Sequence, residues 1–140
     1  MGVLVVSAFP GTGKTWFYKK WEDSGVVFDS DSSQFPKDGF PANYITAIKA
    51  KMEFADIVMV SSHKVVRDAL LDAGIRFLLV YPDISLKEEY LKRFVDRGSP
   101  AAFVELLSQN WDAWIAELEV QGGCERCVLK SGEFLSDVIQ

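Results

Sequence analysis

Histidine occurs once in this chain, cysteine twice, and an excess of basic residues not at all. His63, Cys124 and Cys127 are too few for a structural zinc site, which takes about four ligands. The spacing Cys124-x-x-Cys127 matches a redox motif, but such motifs open a helix after a strand. Here Cys127 runs into Val128-Leu129, which reads as strand, so the two thiols are expected to be incidental. No apolar run approaches the roughly 20 residues of a membrane-spanning helix. The opening Met-Gly-Val-Leu-Val-Val lacks a basic n-region and a small-residue cleavage site, and Val6 breaks the myristoylation pattern. The expectation is a cytoplasmic protein with no membrane partner.

Fifteen basic residues stand against 20 acidic ones, a net charge of −5. The deficit lies wholly in the last forty residues, where Arg126 and Lys130 meet seven carboxylates. A strongly basic nucleic-acid footprint is therefore excluded, while a local cationic groove in the balanced first hundred residues is not. Repeats, low-complexity tracts and linkers are absent too. With 49% apolar residues in 140, the chain suits one globular domain over 1–140.

What is present is concentrated near the start. Val3-Leu4-Val5-Val6 reads as a buried strand and Trp16 to Trp21 as the beginning of a helix. Between them runs Ser7-Ala8-Phe9-Pro10-Gly11-Thr12-Gly13-Lys14-Thr15. Strand, glycine-rich turn, Gly-Lys-Thr and helix in that order form a phosphate-binding loop. Glycines let backbone N–H groups converge on phosphate oxygens, and a helix start adds a positive dipole end. Lys14 can reach the β- and γ-phosphates, and the Thr15 hydroxyl can ligate Mg²⁺. Pro10, Gly11, Thr12, Gly13, Lys14, Thr15 and Trp16 are the expected nucleotide contacts. One departure stands out. The first glycine of G-x-x-x-x-G-K-S/T is here Ala8.

Further along, apolar runs alternate with helical spacings. Val26 to Phe28, Ile57 to Val60, Phe77 to Tyr81 and Cys127 to Leu129 read as strands. Tyr44, Ile45, Ile48 and Met52 recur at helical spacing, as do Val65, Val66, Ala69 and Leu70 before Gly74. Leu86 to Val95 define another amphipathic helix. Phe103, Leu107, Trp111, Trp114 and Leu118 form a stripe that reads as core rather than as a base-stacking pair of tryptophans. Gly132 to Ile139 reads as a short closing helix. Strands without polar alternation have both faces covered. The expected fold is α/β, a three-layer α/β/α P-loop NTPase fold with a five-stranded parallel sheet.

A phosphate loop alone does not choose among kinases, GTPases, motors and switches. The length leaves no room for motor domains, N-K-x-D is absent, and the third strand ends in Ser61-Ser62-His63 without a carboxylate. Asp29-x-Asp31 follows the second strand directly, where ligands of a parallel sheet gather. One of these acids can hold Mg²⁺ and the other can take a proton from an attacking hydroxyl. A capped turn is the competing reading of the same residues. Arg93 and Arg97, four apart, share a helix face beside a possible hinge at Gly98. Guanidinium groups there could stabilise a transferring phosphoryl group, or could simply pair with Glu88, Glu89 and Asp96 on a solvated helix.

With these residues the chain resembles the small P-loop kinases that phosphorylate hydroxyl groups. Examples are gluconate kinase, the kinase domain of polynucleotide kinase, and phage-type kinases acting on nucleotides or on 5-hydroxymethyluracil in DNA. The resemblance implies a nucleoside-kinase-like fold, ATP and Mg²⁺ as cofactors, and the cytoplasm (the host's, if phage-encoded) as location. It assigns the base to Asp31 or Asp29. It makes Ser61 to Asp68 the acceptor segment, with Ser61, His63, Lys64 and Arg67 as contacts. His63 could orient the acceptor, ligate a metal or merely cap the next helix. A lid-like segment over about 86–100 would bring Arg93 and Arg97 to ATP, and Ser131 and Gly132 would border the adenine. The implied acceptor is a nucleotide-like small molecule or modified DNA, with a nucleoside monophosphate or sugar as alternatives. An ATP-binding switch without any acceptor is the reading of another class.

Overall fold

A computed structural model describes residues 3–21, 27–30 and 36–139. Five strands form one all-parallel sheet in the order β2-β3-β1-β4-β5. They are β1 (Leu4–Ala8), β2 (Val27–Asp29), β3 (Ile57–Ser61), β4 (Leu78–Pro82) and β5 (Glu125–Leu129). The helices are α1 (Lys14–Trp21), α2 (Ala42–Met52), α3 (Lys64–Asp72), α4 (Lys87–Asp96), α5 (Ala101–Glu119) and the single turn α6 (Leu135–Val138). A 3₁₀ turn at Ile84–Leu86 leads into α4.

Adjacent strand residues point to opposite faces, and both faces are dry. Val5, Val58, Val60, Leu79 and Tyr81 pack with Tyr44, Ile48, Leu70, Tyr90, Phe94, Leu107 and Trp111 on one side. Val6, Ala8, Met59, Val80 and Leu129 pack with Phe17, Leu135 and Ile139 on the other. Continuous apolar runs are the consequence. Strand order accounts for how the helices divide. The step from β1 to β2 runs toward one edge, and every later step runs back. Right-handed crossovers then put α1 on one face and α2, α3, α4 and α5 on the other. The arrangement is α/β, compatible with three layers.

The predicted elements appear with shifted ends. β5 begins at Glu125, two residues before the expected Cys127, because it pairs with β4 from Leu78↔Glu125 onward. The closing helix covers only Leu135–Val138, since Gly132 has φ +77° and Phe134 is extended. Val26, expected to open β2, lies outside the described residues. Because the sheet is parallel, the loops after all five strands gather at one edge, with β1 central between β3 and β4.

Candidate functional site

The loop after β1 is held by hydrogen bonds at both ends. Phe9 N–H extends the ladder to Val80 O at 2.9 Å, and Leu135 N–H donates to Thr12 O at 2.9 Å. The buried Thr12 hydroxyl donates to Phe9 O at 2.8 Å, closing the turn. The first helical bond of α1 runs from Phe17 N–H to Gly13 O at 2.9 Å. The N–H groups of Gly11, Thr12, Gly13 and Lys14 precede that bond, and among the described residues no backbone carbonyl takes them up. Such a run of free donors at a helix start is suited to an anion.

Gly11 and Gly13 are required twice over. Their φ values are +83° and +91°, the region where a Cβ meets its own backbone. Space is closed as well: a Cβ on Gly11 would lie 3.0 Å from the Phe94 ring and 3.1 Å from Tyr90, and one on Gly13 3.1 Å from Phe134. Ala8 needs no such freedom. It is the last residue of β1, 1% exposed in the core, and no described non-glycine residue has positive φ. Replacing the first glycine of the pattern is therefore harmless to this loop's geometry. Lys14 opens α1, and Trp16 is 65% exposed on it. The side chain of Thr15 and all of Asp31 lie outside the described residues.

Asp29 ends β2 opposite Met59 and is exposed at the sheet edge where the loops gather. Ser30 follows it, pinned by Tyr44 and Lys51. The Tyr44 hydroxyl donates to Ser30 O at 2.6 Å and accepts from Ser61 N–H at 3.2 Å, tying the ends of β2 and β3 together. Lys51 Nζ donates to Ser30 Oγ at 2.5 Å. Periodicity marks Tyr44 as a core position, but its polar role, like that of Lys51, depends on strands far away in sequence.

The segment after β3 behaves differently from a row of free acceptor ligands. Ser61 accepts from the Ser7 hydroxyl through its carbonyl (2.9 Å) and from His63 N–H through its own hydroxyl (3.3 Å). His63 occupies the cap position of α3, yet its side chain makes no cap hydrogen bond. Lys64 pairs with Asp68 at 2.6 Å on the exposed face. Arg67 is only 2% exposed. Its Nε donates to Ser62 O at 2.8 Å, and its terminal nitrogens donate to Gln121 and to Glu117, both contributed by the α5 region. A cavity of about 230 Å³ opens here, between the loop after β1, the β3–α3 turn and α5. Pro10, His63, Lys64 and Arg67 line it, joined by Phe9, Trp114, Glu117 and Leu118. Trp111 is fully buried, as a core stripe requires, whereas Trp114 is only half-buried and faces this cavity.

On the other flank α4 is docked onto the loop. Tyr90 and Phe94 are fully buried beneath it. Arg93 donates through Nη1 to Gly11 O at 2.8 Å and through Nη2 to Glu89 at 3.0 Å. Its guanidinium lies 4.2 Å from the Tyr90 ring centroid and 4.1 Å from that of Phe134. Arg97 stacks on Phe94 at 4.3 Å, with a 3.4 Å bond to Ser99 Oγ, and does not reach the loop. Glu89 accepts from Ser131 Oγ and from Gly132 N–H, the latter at 3.1 Å. Those two bonds, led by Ser131 and helped by Arg93, hold its carboxyl below the ordinary range. Burial pushes the Tyr90 phenol up, partly offset by Arg93, and its hydroxyl has no hydrogen-bond partner among the described residues. The pairing of Glu89 with Arg93 was legible from their spacing, whereas its bonds to Ser131 and Gly132, and the place of Phe134, carry no motif.

Cys124 and Cys127 are free, one before and one within β5. Burial raises both thiols, the opposite of the depressed value of a reactive thiol. Among the described residues no group of three His, Cys, Asp or Glu could hold a metal. Mg²⁺ beside a polyphosphate takes only one or two protein carboxylates, and Asp29, exposed where the strands end, is a ligand of the type it uses. No helix of the described residues is long and apolar enough to cross a membrane. Compared with protein-family models and with curated proteins, the chain matches none.

Proposed function

We propose that this protein is an ATP- and Mg²⁺-dependent P-loop kinase that transfers the γ-phosphoryl group to a hydroxyl of a nucleotide-like acceptor. The observation that carries the reading is the run of uncommitted N–H groups from Gly11 to Lys14 at the carboxyl end of the central strand. In this reading those amides cradle the phosphates and Lys14 neutralises the β- and γ-oxygens. Thr15 and Asp29 would hold Mg²⁺, which would supply charge neutralisation when bound. Asp31, or Asp29 in its place, accepts the proton of the acceptor hydroxyl as the new P–O bond forms and the bond to ADP breaks. Arg93 is the nearer arginine for the transferring group, with Arg97 one turn farther out. Ser131 and Gly132 border the adenine. The cavity at the β3–α3 turn takes the acceptor. The hydroxymethyl group of 5-hydroxymethyluracil in DNA is its most specific candidate.

The test is to offer γ-labelled ATP to nucleosides, nucleotides, sugars and hydroxymethyluracil-containing DNA. Label should pass to one class, and Lys14→Ala should abolish transfer and weaken ATP binding. A wild-type chain that does not bind ATP overturns the proposal. Hydrolysis that no acceptor stimulates points instead to an ATP-driven switch.

A further inference from the structure

The acceptor side of the site has a chemistry of its own. Its cavity of about 230 Å³ is smaller than the roughly 300–1,000 Å³ pockets that hold drug-sized ligands, and suits a single ring system with a small substituent. Phe9, Pro10, Trp114 and Leu118 supply apolar and aromatic wall. Pro10 also belongs to the loop after β1, so a substituent on that side lies next to the loop. The one buried cation of the lining, Arg67, gives three of its five N–H donors to Ser62, Gln121 and Glu117. Its charge is matched by Glu117, so drawing Arg67 onto a phosphate would break a buried ion pair, which is strongly unfavourable, and would bring the phosphate against the Glu117 carboxylate. Glu117 gives one oxygen to Arg67 and is 43% exposed. A carboxylate has about four lone-pair sites and no donor, so what Glu117 still offers is acceptance of N–H or O–H groups. Lys64, at the exposed side, already pairs with Asp68.

We infer that this cavity binds an uncharged, flat heterocycle, stacked on Trp114 and donating ring N–H or hydroxyl hydrogen bonds to Glu117, and that it selects against a phosphate within the cavity. That this ring is the phosphoryl acceptor rests on the kinase reading; that the cavity binds it does not. A free nucleoside and a base extruded from a strand share this chemistry.

Calorimetric titration of the full chain, without ATP, tests the inference with four probes. They are thymidine, 5-hydroxymethyl-2′-deoxyuridine, thymidine 5′-monophosphate and a single-stranded oligonucleotide containing 5-hydroxymethyluracil. At least one uncharged nucleoside or the oligonucleotide should bind, and the monophosphate should bind no tighter than thymidine. Trp114→Leu should weaken binding about tenfold or more. Glu117→Gln should weaken it by about tenfold. Because Glu117→Gln also disturbs Arg67, Trp114→Phe serves as the conservative variant and should retain most affinity, and thermal melting reports whether each variant folds. Tight binding of the oligonucleotide alone identifies DNA as the source of the ring; tight binding of the nucleosides identifies the free molecule. The inference is overturned by a monophosphate that binds tenfold better than thymidine, by a folded Trp114→Leu with undiminished affinity, or by no binding of any probe. ATP binding, measured separately in wild type and Lys14→Ala, decides the kinase reading, so either can fall without the other.

Discussion

Arg93 is the side chain whose removal should tell most. Its side chain is 18% exposed, and its guanidinium holds Gly11 O and Glu89 while stacked between Tyr90 and Phe134. A charged donor on a carbonyl contributes about 1.5–3 kcal/mol. The partly exposed pair with Glu89 adds up to about 1 kcal/mol. Each ring face adds about 0.5–1 kcal/mol. One group makes all these contacts, so they do not simply add. Arg93→Ala should therefore lose about 2–4 kcal/mol, a large share of a typical domain's roughly 5–15 kcal/mol. Arg97→Ala removes one ring contact and a long bond to Ser99, and should lose less than about 1 kcal/mol. Arg93→Lys should fall between, because an ammonium keeps the charge but neither the fork nor the flat stacking face. Urea unfolding followed by tryptophan fluorescence measures all three. A folded Arg93→Ala within about 0.5 kcal/mol of wild type, or an Arg97→Ala that is the worse of the pair, refutes the docking of α4 on the loop. At a temperature where all variants are folded, Arg93→Ala should also lower turnover more than ATP affinity. Unchanged kinetics in both arginine variants would remove them from phosphoryl transfer.

Three further outcomes are expected. Asp31→Asn should cut turnover by about 10²–10⁴ with ATP binding largely intact, measured by steady-state kinetics and calorimetry; full activity would move the base to Asp29. Gly98→Ala forces φ +79° into open space and should lose about 1–2 kcal/mol, whereas Gly13→Ala adds a 3.1 Å approach to Phe134 and should lose more; equal unfolding midpoints would contradict the packing of Phe134 on the loop. Glu89 titrates lower folded than unfolded, so its contribution to stability is complete above its ordinary 4.5 and is lost as pH falls through the depressed folded value. Acid unfolding of Glu89→Gln should accordingly be shallower than that of wild type across that window, with the limb from Asp83, lowered by Ser85, left in place; superimposable acid curves would show that the Ser131 and Gly132 contacts do not form.

Local signals carried the frame of the molecule, and long-range pairing carried what they missed. The loop after β1 was legible because strand, glycines and helix start are contiguous, and the parallel sheet because two dry faces erase alternation. The true start of β5 was not, because Glu125 and Arg126 lie exposed on an edge strand and owe their conformation to β4. Arg67 reads as a surface ligand when taken beside Lys64. Its place next to Val66 and three residues before Leu70, on the buried stripe of α3, was the available hint that it points inward. Its partners Glu117 and Gln121 are about fifty residues away, and no spacing rule connects them. Tyr44 was legible as core and Glu89 as a partner of Arg93, but the bond from Tyr44 to Ser30, those from Ser131 and Gly132 to Glu89, and the place of Phe134 escaped for the same reason, since each joins segments far apart in sequence.

That sheet order also explains why the two flanks of the loop are not independent. With β1 between β3 and β4, the loop meets the cavity on one side and α4 on the other. Both sides are held by α5. Trp111 packs edge-on against Phe9 at 5.7 Å and tilted against Tyr90 at 5.6 Å, and its indole N–H donates to Ile84 O at 2.8 Å. Three and six residues further along the same helix, Trp114 and Glu117 line the cavity. Helical spacing thus makes one rigid element support the floor of the loop, the helix bearing Arg93 and the wall of the cavity. A group bound in the cavity could shift the backbone of α5 only by straining the packing under Phe9 and Tyr90.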